Sequence, residues 1–207
     1  LCCIVEIGNI IANSVRNAKV VVFRVKFFEF RRRIGSKTCN HDVVELAERA
    51  GLDPSGRLSD VRLKGGTEIR FTSVGGSFTG FTVDGFLVID DPHKDRVEAE
   101  SPTIRQHVID WFTDVARTRR HPKTSILCIA SRWHPEDLSG NLIQRGYPYT
   151  NLKAIAEGQL DADGRVETDP LHRLPGESLW HQKPPEFFSE EREDDYTWNS
   201  LFQGEPR

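Results

Sequence analysis

Phe86-Leu87-Val88-Ile89-Asp90-Asp91-Pro92 places four apolar residues, with no polar alternation, ahead of two adjacent carboxylates and a proline. A half-buried strand alternates apolar and polar positions, whereas an unbroken apolar run predicts a strand covered on both faces, as in a parallel sheet. C-terminal to it, Ser101 and Pro102 supply an N-cap and a first-turn proline. Ile104, Val108, Trp111 and Val115 then recur at helical spacing, which predicts an amphipathic helix lying on the sheet. A second apolar run, Ser125-Ile126-Leu127-Cys128-Ile129-Ala130, predicts a second buried strand. A helix starting near Pro135 and stopping at Gly146, then a strand over 149–156, complete the order strand, helix, strand, helix, strand. That order predicts a right-handed α/β layer fold.

N-terminal to the deciding stretch, Thr67 to Val74 alternates like a half-buried strand, and Gly75 to Gly85 is a glycine-rich loop. Asp42 can cap a short helix over Val43 to Ala50 that Gly51 ends, and Asp53-Pro54-Ser55-Gly56 has turn chemistry. The β-branched and aromatic run Val20 to Phe30 favours a strand. The Arg31-Arg32-Arg33 that follows reads as a solvated loop, with a nucleic-acid contact as the alternative.

The 207 residues are 37% hydrophobic and 29% charged, the composition of a soluble globular chain large enough to fold without disulfide or metal staples. Every apolar run falls well short of the roughly 18 residues of a membrane span. The net charge of −3 gives no basic field over the whole protein, but charge is uneven, +6 over residues 1–37 and −8 over residues 157–207. Cys2, Cys3, Cys39 and Cys128 show no C-x-x-C spacing, which predicts reduced thiols and a cytosolic compartment. The sequence contains no Met, as expected of a piece of a longer chain.

Paired acids at the carboxyl end of a buried strand sit where open α/β sheets bind ligands. In P-loop NTPases this is the Walker B position, where the first acid helps to hold Mg²⁺ and the second can orient or deprotonate the attacking water. A plain strand-to-turn junction and another kind of metal site are the alternatives for Asp90 and Asp91. Ser131 and Arg132 end the second apolar run and could sense a γ-phosphate on the same edge. Against this stands a local pairing of Arg132 with Glu136 or Asp137. Gly75-Gly76-Ser77-Phe78-Thr79-Gly80 suggests a phosphate cradle only weakly, against an ordinary mobile loop, since it lacks the P-loop Lys and precedes a strand. No G-x-x-x-x-G-K-[ST] motif is present. Gly35-Ser36-Lys37-Thr38 imitates its end, but Ser36 interrupts the Gly-Lys step, so it reads as a decoy. His93 and His134 could join the acids in a metal site for phosphodiester cleavage, or serve as hydrogen-bonded turn residues.

Together with these motifs, Leu87 to Asp95, Ser131-Arg132-Trp133-His134-Pro135-Glu136-Asp137-Leu138-Ser139-Gly140, Pro175 to Trp180 and Trp198-Asn199-Ser200-Leu201-Phe202-Gln203-Gly204-Glu205-Pro206 follow one another in an order that resembles the large terminase subunit of tailed bacteriophages and prophages. The resemblance covers residues 65–207. It implies a P-loop NTPase-like α/β fold of the additional-strand type, a mostly parallel sheet with flanking helices, here incomplete. It also implies an ATPase motor that uses ATP and Mg²⁺ to drive double-stranded DNA through a portal into a procapsid. By this resemblance Asp90 is the magnesium carboxylate, and Asp91 stands where many relatives carry a catalytic Glu. Ser131 and Arg132 belong to the motif that couples hydrolysis to movement. The implied partners are double-stranded DNA, the portal protein, the small terminase subunit and further copies in a homo-oligomeric ring, with no membrane, in the host cytoplasm during virion assembly. The expected organisation is a divergent N-terminal segment over 1–64, the core of the ATPase domain over 65–156, and an acidic segment over 157–207 leading toward a nuclease domain that lies outside this chain. The chain alone is expected to be a weak or inactive ATPase. The alternatives are a fragment of a metal-dependent DNA nuclease using Asp90, Asp91 and His134, and an inactive prophage remnant acting at most as a binding module.

Overall fold

The structure, a computed structural model, describes residues 19–24, 52–53, 60–63, 68–76, 80–158, 160, 162 and 169–207. The expected helix over 43–50, the Arg31-Arg32-Arg33 run, the Lys37 segment and Ser77 to Thr79 lie outside these residues.

Among the described residues six strands form one sheet: β1 Lys19–Arg24, β2 Leu52–Asp53, β3 Asp60–Leu63, β4 Glu68–Thr72, β5 Phe86–Asp90 and β6 Ser125–Ile129, in the order β2-β3-β4-β1-β5-β6. The four strands from β4 to β6 run parallel, and β3 and β2 continue the sheet antiparallel beyond β4. The sheet is thus mixed. Its parallel block carries the expected α/β character.

The chain divides into two compact units, one of residues 1–94 and 107–130 and one of residues 95–106 and 131–207. In the first, β5 is the covered strand that its composition predicts: Leu87, Val88 and Ile89 are at most 1% exposed, between β1 and β6. Burying each of these side chains is worth about 1.5–3 kcal/mol. β6 departs from expectation. Ser125 is exposed and Leu127 is 41% exposed, because β6 ends the strand order and, among the described residues, has a neighbour on one side only.

The helical pattern after Ser101 is one helix followed by a π turn, and a separate short helix precedes it. Asp95 caps α1, Arg96–Glu100, by accepting from the Glu98 amide at 3.0 Å. Ser101 then accepts from the Ile104 amide at 3.4 Å and opens α2, Pro102–Trp111. Past Trp111 the chain winds into a π turn over Phe112–Ala116. The wider turn shifts the buried stripe, so Phe112 and Ala116 are fully buried while Val115 is not.

In the second unit, α3, Leu138–Gln144, starts later than the Pro135 expected from sequence, and Gly146 ends the segment at φ +82°. The strand expected over 149–156 does not form. Its backbone finds other partners: the Gln203 side chain accepts from the Ile155 amide at 3.2 Å and donates to the Ile155 carbonyl at 3.1 Å. Ala154 bonds to the backbone of Phe202 and Leu179. Backbone pairing is limited to one antiparallel bridge, Ile155 with Ser178, and the Gln203 side-chain amide serves the other edge of Ile155. The buried Phe188 packs against the half-buried Trp198 and Phe202 at ring-centroid distances of 5.9 and 5.6 Å, so the C-terminal motif covers this ring.

A buried ion pair ties down the loop before this core. Asp169 accepts from Arg173 Nη2 at 2.6 Å and from the Leu171 and Arg173 amides at 3.0 and 2.9 Å. The Arg173 hydrogen bonds hold the Asp169 carboxyl below its usual pKa, against the opposing effect of burial.

Two stability predictions follow from this packing. Leu87→Ala is expected to cost about 2–5 kcal/mol in urea unfolding, and a loss under about 1 kcal/mol would contradict a fully covered β5. Because the folded-state pKa of Asp169 is depressed, its contribution is complete above the unfolded value of about 3.9 and is lost as pH falls through the folded value. The melting temperature of the native chain should therefore fall more steeply than that of Asp169→Asn as pH is lowered from about 5 to 2; parallel curves would remove Asp169 from the acid limb.

Candidate functional site

β5 delivers Asp90 to the carboxyl edge of the parallel block, half-buried, directly after three covered residues. In register, Asp90 faces Arg24 on β1 and Ile129 on β6. The ladder continues one step further, with the Asp91 amide donating to the Ile129 carbonyl at 2.9 Å. At Asp91 the backbone then turns into the left-handed region, φ +45°. Asp tolerates that conformation better than most residues, yet a non-glycine there remains uncommon and costs energy that the surroundings must offset. Pro92 and His93, next along the chain, are buried, with His93 only 3% exposed.

The arrangement fits a magnesium ion shared with a substrate. Mg²⁺ is ordinarily held by one or two carboxylates together with phosphate oxygens and water, and Asp90 and Asp91 supply one or two carboxylates at an accessible sheet edge. Among the described residues, no group of three or more His, Cys, Asp or Glu side chains could hold a metal ion on its own. His134 plays the local part: its Nδ1 accepts from the Glu136 amide at 3.0 Å.

Ser131 and Arg132 belong to the second unit. Ser131 is exposed, and Arg132 makes the local pairing weighed above, with Asp137 and not with Glu136. Its Nε donates to both Asp137 carboxylate oxygens at 3.1 and 3.0 Å, and Nη2 to the Pro135 carbonyl at 3.4 Å. Asp137 is also the N-cap of α3, accepting from the Gly140 amide at 2.7 Å. Gly140 is required by this geometry, since a Cβ there would overlap the Pro135 carbonyl oxygen and approach Arg132 Nη2 to 3.1 Å. Glu136 turns instead to the buried Arg105, which also donates to the Ala99 carbonyl at 2.6 Å. The Tyr196 hydroxyl donates to the Trp133 carbonyl at 2.5 Å, while the Arg96 guanidinium lies 3.6 Å from the Tyr196 ring centre. Ser131-Arg132-Trp133-His134 is thus the start of a tightly bonded cap.

Sequence reasoning missed Arg24 as the register partner of Asp90. No local signal could have found it, because the two residues meet through a pairing of strands some sixty positions apart.

No family model matches the chain, and no curated protein matches it. Among solved structures, the chain is similar to the large terminase of bacteriophage HK97, at 14% identity and a TM-score of 0.49, over 98% of this chain and 43% of that one. The chain thus spans less than half the length of that protein, and a likeness this distant carries no argument about the site.

Asp137 both caps a helix and neutralises the half-buried Arg132. Asp137→Ala should cost about 3–5 kcal/mol, because it strands the Arg132 charge. Asp137→Asn keeps the cap and should cost about 1 kcal/mol less. Equal losses in thermal or urea unfolding would remove the cap from the account.

Proposed function

We propose that this chain is part of the ATPase domain of a phage large-terminase-like motor, in which ATP hydrolysis is coupled to movement of double-stranded DNA. The observation that carries the reading is the carboxylate pair at the carboxyl end of a covered strand in a parallel block, with Asp91 in a left-handed backbone. Such strain, where one acid follows another at a sheet edge, is what a held functional group produces. The order of motifs from Gly75 to Pro206 supports the same family.

In this proposal Asp90 holds the Mg²⁺ that accompanies ATP, and Asp91 orients or deprotonates the attacking water. When bound, the ion neutralises charge on the phosphates. Asp91 is one methylene shorter than the Glu many relatives carry, so its reach depends on the backbone turn that presents it. Ser131 and Arg132 take the coupling role. Their bonding through Asp137 and Tyr196 supports a transmitting part, because a shift at Ser131 would be carried into α3 and the C-terminal segment. Portal protein, small terminase subunit and further copies of the chain are the proposed partners of the complete motor.

Among the described residues, no helix is long and apolar enough to cross a membrane.

Fluorescence titration with a mant-labelled ATP tests the proposal. Binding should require Mg²⁺ and weaken at least about tenfold in Asp90→Asn. Asp91→Asn, which tolerates the left-handed backbone, should bind as the native chain does. Turnover of the chain alone should stay far below about 1 per second, since the sequence carries no G-x-x-x-x-G-K-[ST] cradle. Binding that ignores both Mg²⁺ and Asp90→Asn would contradict the reading, and rapid turnover lost in Lys37→Ala would make Lys37 the phosphate lysine.

A further inference from the structure

The geometry points to a contact for the phosphate backbone of duplex DNA at the opposite end of the same strands, formed by Arg117, Arg119, Arg120 and Lys123. The turn carrying them leads into Ser125, the first residue of β6, which pairs in register with Phe86 at the start of β5. Asp90 lies at the other end of β5. Strand length therefore separates this corner from the carboxylates by roughly 15 Å.

Residues 117–123 carry four cations in a chain of net charge −3. Among the described residues, none of the four has a carboxylate partner within salt-bridge distance. Arg120 and Lys123 are exposed, and Arg117 and Arg119 half-buried. Arg120 Nε donates to the Arg117 carbonyl at 3.1 Å, which fixes the direction of that guanidinium. Arg119 Nε is shielded from solvent, so this side chain would meet a phosphate through the outer part of its guanidinium.

The corner is also rigid. Val83, fully buried, donates to the Arg119 carbonyl and accepts from the His121 amide, both at 2.8 Å, and its carbonyl also accepts from the Thr124 hydroxyl. The cations are thus presented from a backbone fastened to the core, which lowers the ordering cost of binding.

The partner follows from what the corner lacks. No large hydrophobic residue between 110 and 126 is exposed among the described residues, and protein interfaces depend on buried aromatic or aliphatic anchors. Phosphates need only charge and donors, and contact with them is independent of base sequence. The choice of duplex DNA over another nucleic acid rests on the proposed function. The charge and geometry of the corner do not.

Fluorescence anisotropy of a short labelled duplex across a salt series, with the full chain, tests the inference. Four phosphate contacts predict a log-log slope of about 3 to 4 and about a hundredfold loss of affinity between 50 and 200 mM salt. Arg120→Glu with Lys123→Glu should reduce the slope by about 2 and the affinity at low salt by at least about tenfold, with an unchanged circular dichroism spectrum. Arg120→Lys should keep the slope. Native affinity and slope in the double variant would overturn the inference. So would a labelled polyglutamate peptide that binds as tightly as the duplex, which would make the partner an acidic protein segment. The mant-ATP titration on the same variants separates the two proposals. Intact Mg²⁺-dependent nucleotide binding beside an unchanged DNA slope sinks this inference alone, whereas a lost slope beside nucleotide binding indifferent to Asp90→Asn sinks the motor reading alone.

Discussion

The exclusion of water from Leu87, Val88 and Ile89 is the constraint on which the first unit depends. Three consecutive side chains point alternately to the two faces of the sheet, so all three can be buried only if both faces are covered and both neighbouring strands are present. β1 and β6 supply those neighbours, in parallel. Parallel pairing places the carboxyl ends of the strands together, and the chain becomes polar at the first position beyond the covered segment. The position of the two acids is thus a consequence of burial. A strand that is apolar throughout its covered part can carry ionisable groups only at its ends, because an unpaired buried carboxylate is too costly.

The second unit is held by a different kind of interaction. Asp137 and Asp169 are both buried, and each is satisfied by an arginine together with backbone amides. Breaking either pair leaves an uncompensated charge, whereas the intact pairs fix geometry more than they add stability. Gln203 acts in the same manner without charge, serving the Ile155 backbone from both sides. Here Gln203 and a single antiparallel bridge between Ile155 and Ser178 together satisfy backbone groups that strand pairing satisfies in the first unit.

How much of this was legible in the sequence depended on whether the determining contact was local. β5 was legible because an unbroken apolar run has few other solutions, and so was the Ser101 cap, whose signal lies within one turn of the helix it opens. The Arg132 pairing was visible as one of two choices, and only the fold of the cap distinguishes Asp137 from Glu136. β6 was misjudged, since the same apolar letters serve a central strand and an edge strand, and position in the sheet order is set by chain segments far away. The antiparallel strands β2 and β3, of two and four residues, are too short to carry a period. Arg24 opposite Asp90 was invisible for the reason β6 was misjudged: register between distant strands is not written in either one.

The central claim is that the sheet edge bearing Asp90 and Asp91 receives the metal of a metal-nucleotide complex, while the basic corner at the other strand end does not. Paramagnetic broadening of backbone amide resonances by Mn²⁺ with ATP reads both positions in one experiment, because the effect falls steeply with distance from the ion. Broadening at substoichiometric Mn²⁺ that is strongest at the amides of residues 89–92 and clearly weaker at those of 117–124 is the result predicted. Broadening centred on 117–124, or none at 89–92 at saturating nucleotide, would contradict it.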